Sequence, residues 1–311
     1  MEHMPWVEKY RPKKFEDIVL ENTNKKILNN VIKTGYFPNL LFYGPPGTGK
    51  TTTIINIIDK FQEKYNQKRK GLKIHLNASD DRGIDIIRNQ INQFVNTKTL
   101  FGKGLKFVIL DEVDYMTKNA QQALRYLIQQ YSKNIRFCLI CNYISRIDIA
   151  LQNEFIRLKF CQLPEKEISS FLKHIIKNEN INMTKIQLIS IQSLFKSDIR
   201  SMINYIQSNQ YINRKKDRIM TKEFWVKFIL ELKKNKTNKE LVKYIEEKCI
   251  DFNTDKRNFI KNFINYLLEN AGYACNEEWF LFFGRCIHTN CNIYYKLNYF
   301  LLRLKTLYKD L

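Results

Sequence analysis

The segment Gly44-Pro45-Pro46-Gly47-Thr48-Gly49-Lys50-Thr51 constrains the fold of this chain more than any other. It fits the phosphate-loop pattern G-x-x-x-x-G-K-[ST]. An apolar run, Leu40-Leu41-Phe42-Tyr43, precedes it, and a helix-compatible stretch, Thr52 to Phe61, follows. Strand, tight loop and helix start form the context in which the pattern cradles phosphate. The glycines let backbone N–H groups turn inward around a β-phosphate, and the helix start adds the positive end of its dipole. Lys50 can then reach the β- and γ-phosphates, and the Thr51 hydroxyl can hold Mg²⁺. The plainer reading is a Gly/Pro turn between strand and helix, and the complete pattern with its flanks favours a nucleoside triphosphate site.

The surrounding sequence alternates β-like runs with helical ones. Leu40–Tyr43, Lys73–Leu76, Phe107–Leu110 and Phe137–Cys141 are apolar. Between them, Thr52–Tyr65, Ile84–Phe94 and Asn119–Tyr131 carry apolar residues at three- and four-residue spacings. Such alternation predicts a parallel sheet with helices on both faces. Pro164 closes the region, and everything after it is helix-compatible: Glu165–Lys177, Lys185–Phe195, Asp198–Gln207, then an aromatic-rich remainder. Basic residues at 213–218 and a polar stretch at 233–238 mark breaks. The expected organisation is an α/β domain at 1–163, a helical lid at 164–229 and an all-α domain at 230–311.

Cys138 and Cys141 form a C-x-x-C within an apolar strand-like run, where residues three apart point to opposite faces and cannot readily share a metal. Core packing is the better reading, and seven scattered cysteines suggest reduced thiols. No apolar run approaches the roughly 20 residues of a membrane span, and the N-terminus lacks the apolar core of a signal peptide. The expectation is a soluble intracellular protein. The net charge of +21 favours polyanionic partners, although the excess is spread over both halves.

A phosphate loop alone only binds; hydrolysis needs metal support, a base that orients water and a sensor for the γ-phosphate. Phe107-Val108-Ile109-Leu110 delivers Asp111 and Glu112 to the C-terminal edge of the sheet, where ligands bind. Asp111 suits the Mg²⁺ shell and Glu112 suits polarising the attacking water. Asn142 ends the next apolar run, where its amide could meet the γ-phosphate.

Pro5-Trp6-Val7-Glu8-Lys9-Tyr10-Arg11-Pro12, the phosphate loop, Leu76-Asn77-Ala78-Ser79-Asp80-Asp81-Arg82-Gly83-Ile84-Asp85, Leu110-Asp111-Glu112-Val113-Asp114 and Arg136 to Tyr143 together resemble replication factor C. That is the eukaryotic clamp loader built from AAA+ ATPase subunits. The resemblance is dense from Pro5 to about Leu163 and only architectural beyond about residue 230. It implies an AAA+ domain, a small lid and a helical collar, with ATP and Mg²⁺ as ligands. Glu112, Lys50, Asn142 and Arg200 would carry the chemistry, Asn142 as first sensor and Arg200, in Ser197-Asp198-Ile199-Arg200, as second. Val7, Tyr10, Arg11, Pro12, Ile18 and Val19 would face the base; Gly44, Pro45, Pro46, Gly47, Thr48, Gly49, Lys50, Thr51 and Thr52 would surround the phosphates. Thr51 and Asp111 would hold the metal.

The same resemblance implies that Arg82, Arg88 and Arg146 follow a DNA backbone and that Ile91, Phe94, Leu100 and Phe101 face a sliding clamp. Core packing explains at least some of the latter equally well. Partners would be one large and several small replication factor C subunits in a nuclear hetero-pentamer, the sliding clamp and primer–template DNA. One departure stands out. Where the family carries Ser-Arg-Cys, whose arginine enters a neighbour's ATP site, this chain has Asn153-Glu154-Phe155, with Arg157 nearby. Two alternatives stay open: a catalytically silent scaffold subunit of the same assembly, and another AAA+ DNA-remodelling factor.

Overall fold

The computed structural model describes residues 4–66, 71–78, 84–96, 104–210, 220–234, 236–252 and 254–309, the side chains of 84–88 and 309 excepted. The chain divides into two compact units, Met1–Tyr211 and Ile212–Leu311. In the first, the elements run α1 (Trp6–Lys9), α2 (Asn22–Thr34), β1 (Leu40–Tyr43), α3 (Lys50–Lys64), β2 (Lys73–Asn77), α4 (Ile84–Asn96) and β3 (Lys106–Asp111). They continue as α5 (Lys118–Tyr131), β4 (Ile135–Cys141), α6 (Ile149–Gln152), β5 (Ile156–Lys159), α7 (Glu165–Asn178), α8 (Lys185–Phe195) and α9 (Ile199–Ser208).

The five strands form one sheet in the order β2-β3-β4-β1-β5, and every neighbouring pair is parallel. The chain leaves β1 towards β2 on one side, and from β4 it passes β1 to reach β5 on the other. A crevice therefore opens at the C-terminal end of β1, where ligands settle in such sheets.

Alternate strand residues feed two cores. Leu40, Phe42, Phe107, Ile109, Cys138, Ile140, Leu158 and Phe160 pack with residues of α2 and α3. Leu41, Val108, Leu110, Phe137, Leu139 and Cys141 pack with residues of α4 and α5. A sheet covered on both faces needs apolar side chains at every position, which is why the central strands read as unbroken apolar runs. Cys138 and Cys141 fall in opposite cores, and burial pushes both thiols up from their ordinary pKa. They are packing residues.

Four elements, α1, α2, α6 and β5, lie outside the expected alternation. β5 exposes all its residues except Leu158, so an edge strand left only one apolar contact to read. α1 and α2 precede the loop.

The break between the two compact units lies between Tyr211 and Ile212. Helices α7 to α9 belong to the first unit, burying Ile168, Leu172, Ile175, Leu188, Ile191, Met202, Ile203 and Ile206. The described helices of the second unit are α10 (Lys222–Lys233), α11 (Asn238–Asp251), α12 (Lys256–Asn270), α13 (Glu277–His288) and α14 (Ile293–Lys309). Trp225 and Phe228 of α10 pack against Phe259 and Phe263, in an aromatic core that also holds Phe282 and Phe300. A large buried aromatic contributes roughly 1.5–3 kcal/mol over an exposed one, so those two side chains commit α10 to this unit. Thr221, Thr237, Asp255 and Asn276 cap its helices. Among the described residues no helix is long and apolar enough to cross a membrane.

Candidate functional site

The loop after β1 closes onto the N-terminus of α3. Two of its glycines answer to close approaches. Gly44 has φ +139°, and a Cβ there would lie 1.7 Å from the Phe160 carbonyl oxygen; Gly47 has φ +73°, and a Cβ there would lie 1.8 Å from Asp198 Oδ1. The first crowding brings the loop against the end of β5, the second against the start of α9. The Ile199 N–H donates to the Gly47 carbonyl at 3.2 Å, joining α9 directly to the loop.

α3 begins without a side-chain cap, and its first ordinary backbone bond is from Thr53 N–H to the Gly49 carbonyl. The uncapped N–H groups of a long helix form an anion site, and the space where a Cβ of Gly49 would project is open. Lys50 is only 7 % exposed. Its ammonium donates to the carbonyls of Gly44 at 2.7 Å and Pro45 at 2.8 Å and to Asn142 Oδ1 at 3.0 Å. Burial lowers its pKa from the ordinary lysine value, with the Asp111 carboxylate opposing. A buried cation held by neutral oxygens is poised to exchange them for phosphate oxygens.

β3 ends in Asp111, whose Oδ2 accepts the Thr51 hydroxyl at 2.7 Å and whose Oδ1 accepts the Glu112 N–H at 3.0 Å. Burial would raise the Asp111 pKa, but the His75 ring, Thr51 and the Glu112 N–H outweigh it and hold the carboxyl below its ordinary value. Thr51 and Asp111 thus offer hard oxygen donors beside a phosphate cradle, the chemistry Mg²⁺ selects. Glu112 follows with φ +58°, a left-handed conformation for a residue with a side chain. Such strain gathers at functional sites. Beyond it, Asp114 is buried; its Oδ2 accepts the N–H groups of Asn142 at 3.3 Å and Tyr143 at 3.2 Å.

Val7, Tyr10, Arg11, Pro12, Ile18, Val19, Pro46, Gly47, Thr48, Gly49, Lys50, Thr51, Thr52, Asp111, Glu112, Asn142 and Arg200 line one cleft. Gly44 and Pro45 do not line it, and act through the carbonyls that hold Lys50. The expected base-side segment is fastened at several points. Arg11 Nε donates to Thr52 Oγ1 at 3.2 Å, and Asn56 Nδ2 donates to the Pro12 carbonyl at 3.0 Å. The Trp6 N–H donates to Gln207 Oε1 at 3.0 Å, while the Tyr10 hydroxyl and the Lys9 ammonium both donate to Glu179 Oε1. Trp6 itself is buried and does not line the cleft.

Sequence reasoning missed Glu8, Phe171, Ile199 and Ile203 on the wall of the cleft. Ile199 and Ile203 are one helical turn apart beside Arg200, a spacing that could have marked the cleft-facing side of α9.

The expected macromolecular contacts divide. Arg82, Leu100 and Phe101, and the side chain of Arg88, lie outside the described residues. Arg146 is exposed at the C-terminal edge of the sheet. Ile91 is 1 % exposed and packs in the core with Val108 and Leu110, so it serves the domain's own interior rather than an outer surface; Phe94 packs partly against the same core. Glu154 Oε1 accepts from Gln129 Nε2 at 2.8 Å and Arg125 Nε at 3.4 Å, whereas Arg157 donates to Gln152 Oε1 at 3.2 Å.

Residues 40–163 match the family described as "ATPase family associated with various cellular activities (AAA)". The chain is 44 % identical over 205 residues to replication factor C subunit 3 of Schizosaccharomyces pombe, covering 66 % of this chain and 59 % of that protein. It is 42 % identical over 207 residues to replication factor C subunit 5 of Homo sapiens, covering 66 % and 60 %. The match thus spans about 59–60 % of the length of these relatives. The RuvB Holliday junction branch migration motor of Thermotoga maritima superposes with a TM-score of 0.53 over 82 % of this chain and 79 % of that one, at 16 % identity, a likeness of fold.

Proposed function

Because the chain carries an AAA ATPase domain and is a homologue of replication factor C subunits 3 and 5, we propose that it is an ATP-hydrolysing small subunit of a replication clamp loader. The observation that carries this reading is the single cleft that gathers Lys50, Thr51, Asp111, Glu112, Asn142 and Arg200. A silent scaffold would have no use for the strained Glu112 or for the Lys50–Asn142 contact.

In this reading the substrate is ATP. The α3 N-terminus and Lys50 receive its phosphates, and Arg11, Pro12, Ile18 and Val19 flank its base. Thr51 and Asp111 hold Mg²⁺, which when bound neutralises charge on the β- and γ-phosphate oxygens. Glu112 orients a water and accepts its proton. Asn142 and Arg200 meet the γ-phosphate from the sheet and from α9, so the nucleotide's state is read by both parts of the first unit.

The chain works beside one large and several small companion subunits in a nuclear hetero-pentamer, opening a sliding clamp and placing it on primer–template DNA. ATP favours the state that holds clamp and DNA, and hydrolysis releases it; nucleotide can shift the population only through such a difference in affinity. Arg146 contributes to the grip on the DNA backbone. Glu154 cannot neutralise a neighbour's γ-phosphate, and its charge is tied to Arg125 and Gln129 of its own chain. The subunit therefore uses a neighbour's arginine for its own ATP and activates the adjacent site poorly.

Single-turnover hydrolysis by the full chain within its assembly, with Glu112→Gln as control, tests the reading. Glu112→Gln should retain ATP binding and lose turnover by about 10²–10⁴-fold, the usual contribution of a positioned base. Equal turnover by the two proteins would overturn it.

A further inference from the structure

Tyr115 and Tyr143 are each 59 % exposed. Both rings face one guanidinium: that of Arg146 lies 5.9 Å from the Tyr115 centroid and 5.1 Å from the Tyr143 centroid. An exposed cation–π contact contributes little to folding, so the arrangement is not explained by stability.

The backbone beneath is rigid. Gln121 is 1 % exposed. Its Nε2 donates to the Arg146 carbonyl at 3.1 Å and its Oε1 accepts the Asp148 N–H at 2.7 Å. The Arg146 N–H closes on the Tyr143 carbonyl at 3.1 Å. Asp114, the residue before Tyr115, accepts the N–H of Tyr143 at 3.2 Å. All three side chains thus stand on backbone held from the interior.

The charge on Arg146 is also unspent. Arg125 pairs with Glu154, Arg303 with Glu278 and Arg11 with Glu8, but among the described residues no carboxylate pairs with Arg146. An oriented guanidinium with free donors on a chain of net charge +21 suits a phosphodiester, which such a fork can bind bidentately.

We propose that Tyr115 and Tyr143 are positioning residues that clamp Arg146, so that the three form one preorganised site for a polynucleotide phosphate. This rests on the reading above that Arg146 meets DNA, and adds the two rings as the reason a surface arginine can hold a fixed direction there. Fixing the fork in advance removes ordering cost at binding. The bases of the strand make no contribution at this site.

The test is equilibrium binding of a fluorescein-labelled primer–template DNA by the protein in its assembly, titrated with salt. Tyr115→Ala/Tyr143→Ala should weaken binding by about ten-fold, each exposed cation–π contact being worth a few-fold. Tyr115→Phe/Tyr143→Phe should restore it, since the ring face and not the hydroxyl acts. Arg146→Ala should weaken binding and lower the salt slope by about one, and in that background the alanine pair should cost nothing further. ATP binding should be unchanged throughout. Wild-type affinity in the alanine pair would overturn the clamp while leaving the DNA reading intact. A loss that persists in the Arg146→Ala background would mean the rings touch DNA directly, and also overturns it. No DNA binding by the wild-type assembly would overturn both.

Discussion

Thr51 donates its hydroxyl proton to Asp111 across 2.7 Å, joining the start of α3 to the end of β3. The phosphate cradle and the carboxylate strand are thereby locked in one geometry before any ligand arrives. Asp111→Asn should keep nucleotide in the loop but abolish the dependence of affinity on Mg²⁺ and lower turnover by roughly 100-fold or more. Because the Asp111 pKa lies below its ordinary value, its contribution is present above the ordinary carboxylate value and is lost only as pH falls through the depressed one. The Mg²⁺ dependence should accordingly be flat between about pH 6 and 8; a titration within that window in binding measurements would contradict this.

Glu112 has φ +58°, a conformation that costs a residue with a Cβ about 1–3 kcal/mol. Glycine pays none of that strain. Glu112→Gly and Glu112→Ala should both stop hydrolysis, with the glycine variant the more stable by about 1 kcal/mol in chemical denaturation. Equal stabilities would show that the backbone relaxes when the side chain is lost.

Asp114 holds the end of β4 through two N–H groups, while its Oδ1 is buried without a partner. Asp114→Asn keeps an acceptor for both bonds and should fold with near-normal turnover. Asp114→Ala leaves two part-buried donors without this acceptor, costing up to about 1–3 kcal/mol, and should release Asn142 from Lys50. Turnover falling equally in both variants would indicate a role for the charge itself.

The phosphate side of this site was legible because its chemistry demands particular residues at fixed spacing. Lys50, Thr51, Asp111 and Asn142 meet in space as their positions at strand ends implied. The side walled by α7 and α9 was not. Phe171, Ile199 and Ile203 are apolar residues on amphipathic helices, and nothing local separates a side chain that walls a cleft from one that fills a core. The same ambiguity hid the fate of Ile91, which turned inward. Periodicity tells that a face is buried, and tertiary packing decides against what.

Glu179 at the end of α7 accepts hydrogen bonds from both Tyr10 and Lys9, linking the N-terminal segment to α7. Removing it should matter more to binding than to folding, since surface ion pairs contribute about 0–1 kcal/mol. Glu179→Ala should weaken ATP binding by about five-fold with little change in Tm. Burial, with Glu179, pushes the Tyr10 hydroxyl up to about 12. The link therefore stabilises the fold fully below the ordinary tyrosine value of about 10 and is lost as pH rises through about 12. A change in the link's contribution between neutral pH and pH about 9 would speak against it.

Glu154→Arg would place a guanidinium where the proposed clamp-loader reading looks for one. ATP turnover of the assembled complex should rise, because a trans arginine is worth about 10³–10⁵ where it acts. Unchanged turnover would mean that another group already serves the neighbouring site.

The most direct test of the account is calorimetric titration of the purified protein with ATP and Mg²⁺, wild type beside Lys50→Ala. The account predicts saturable one-to-one binding by the wild type that Lys50→Ala abolishes. Absence of binding by the wild type, or equal binding by both proteins, would contradict it.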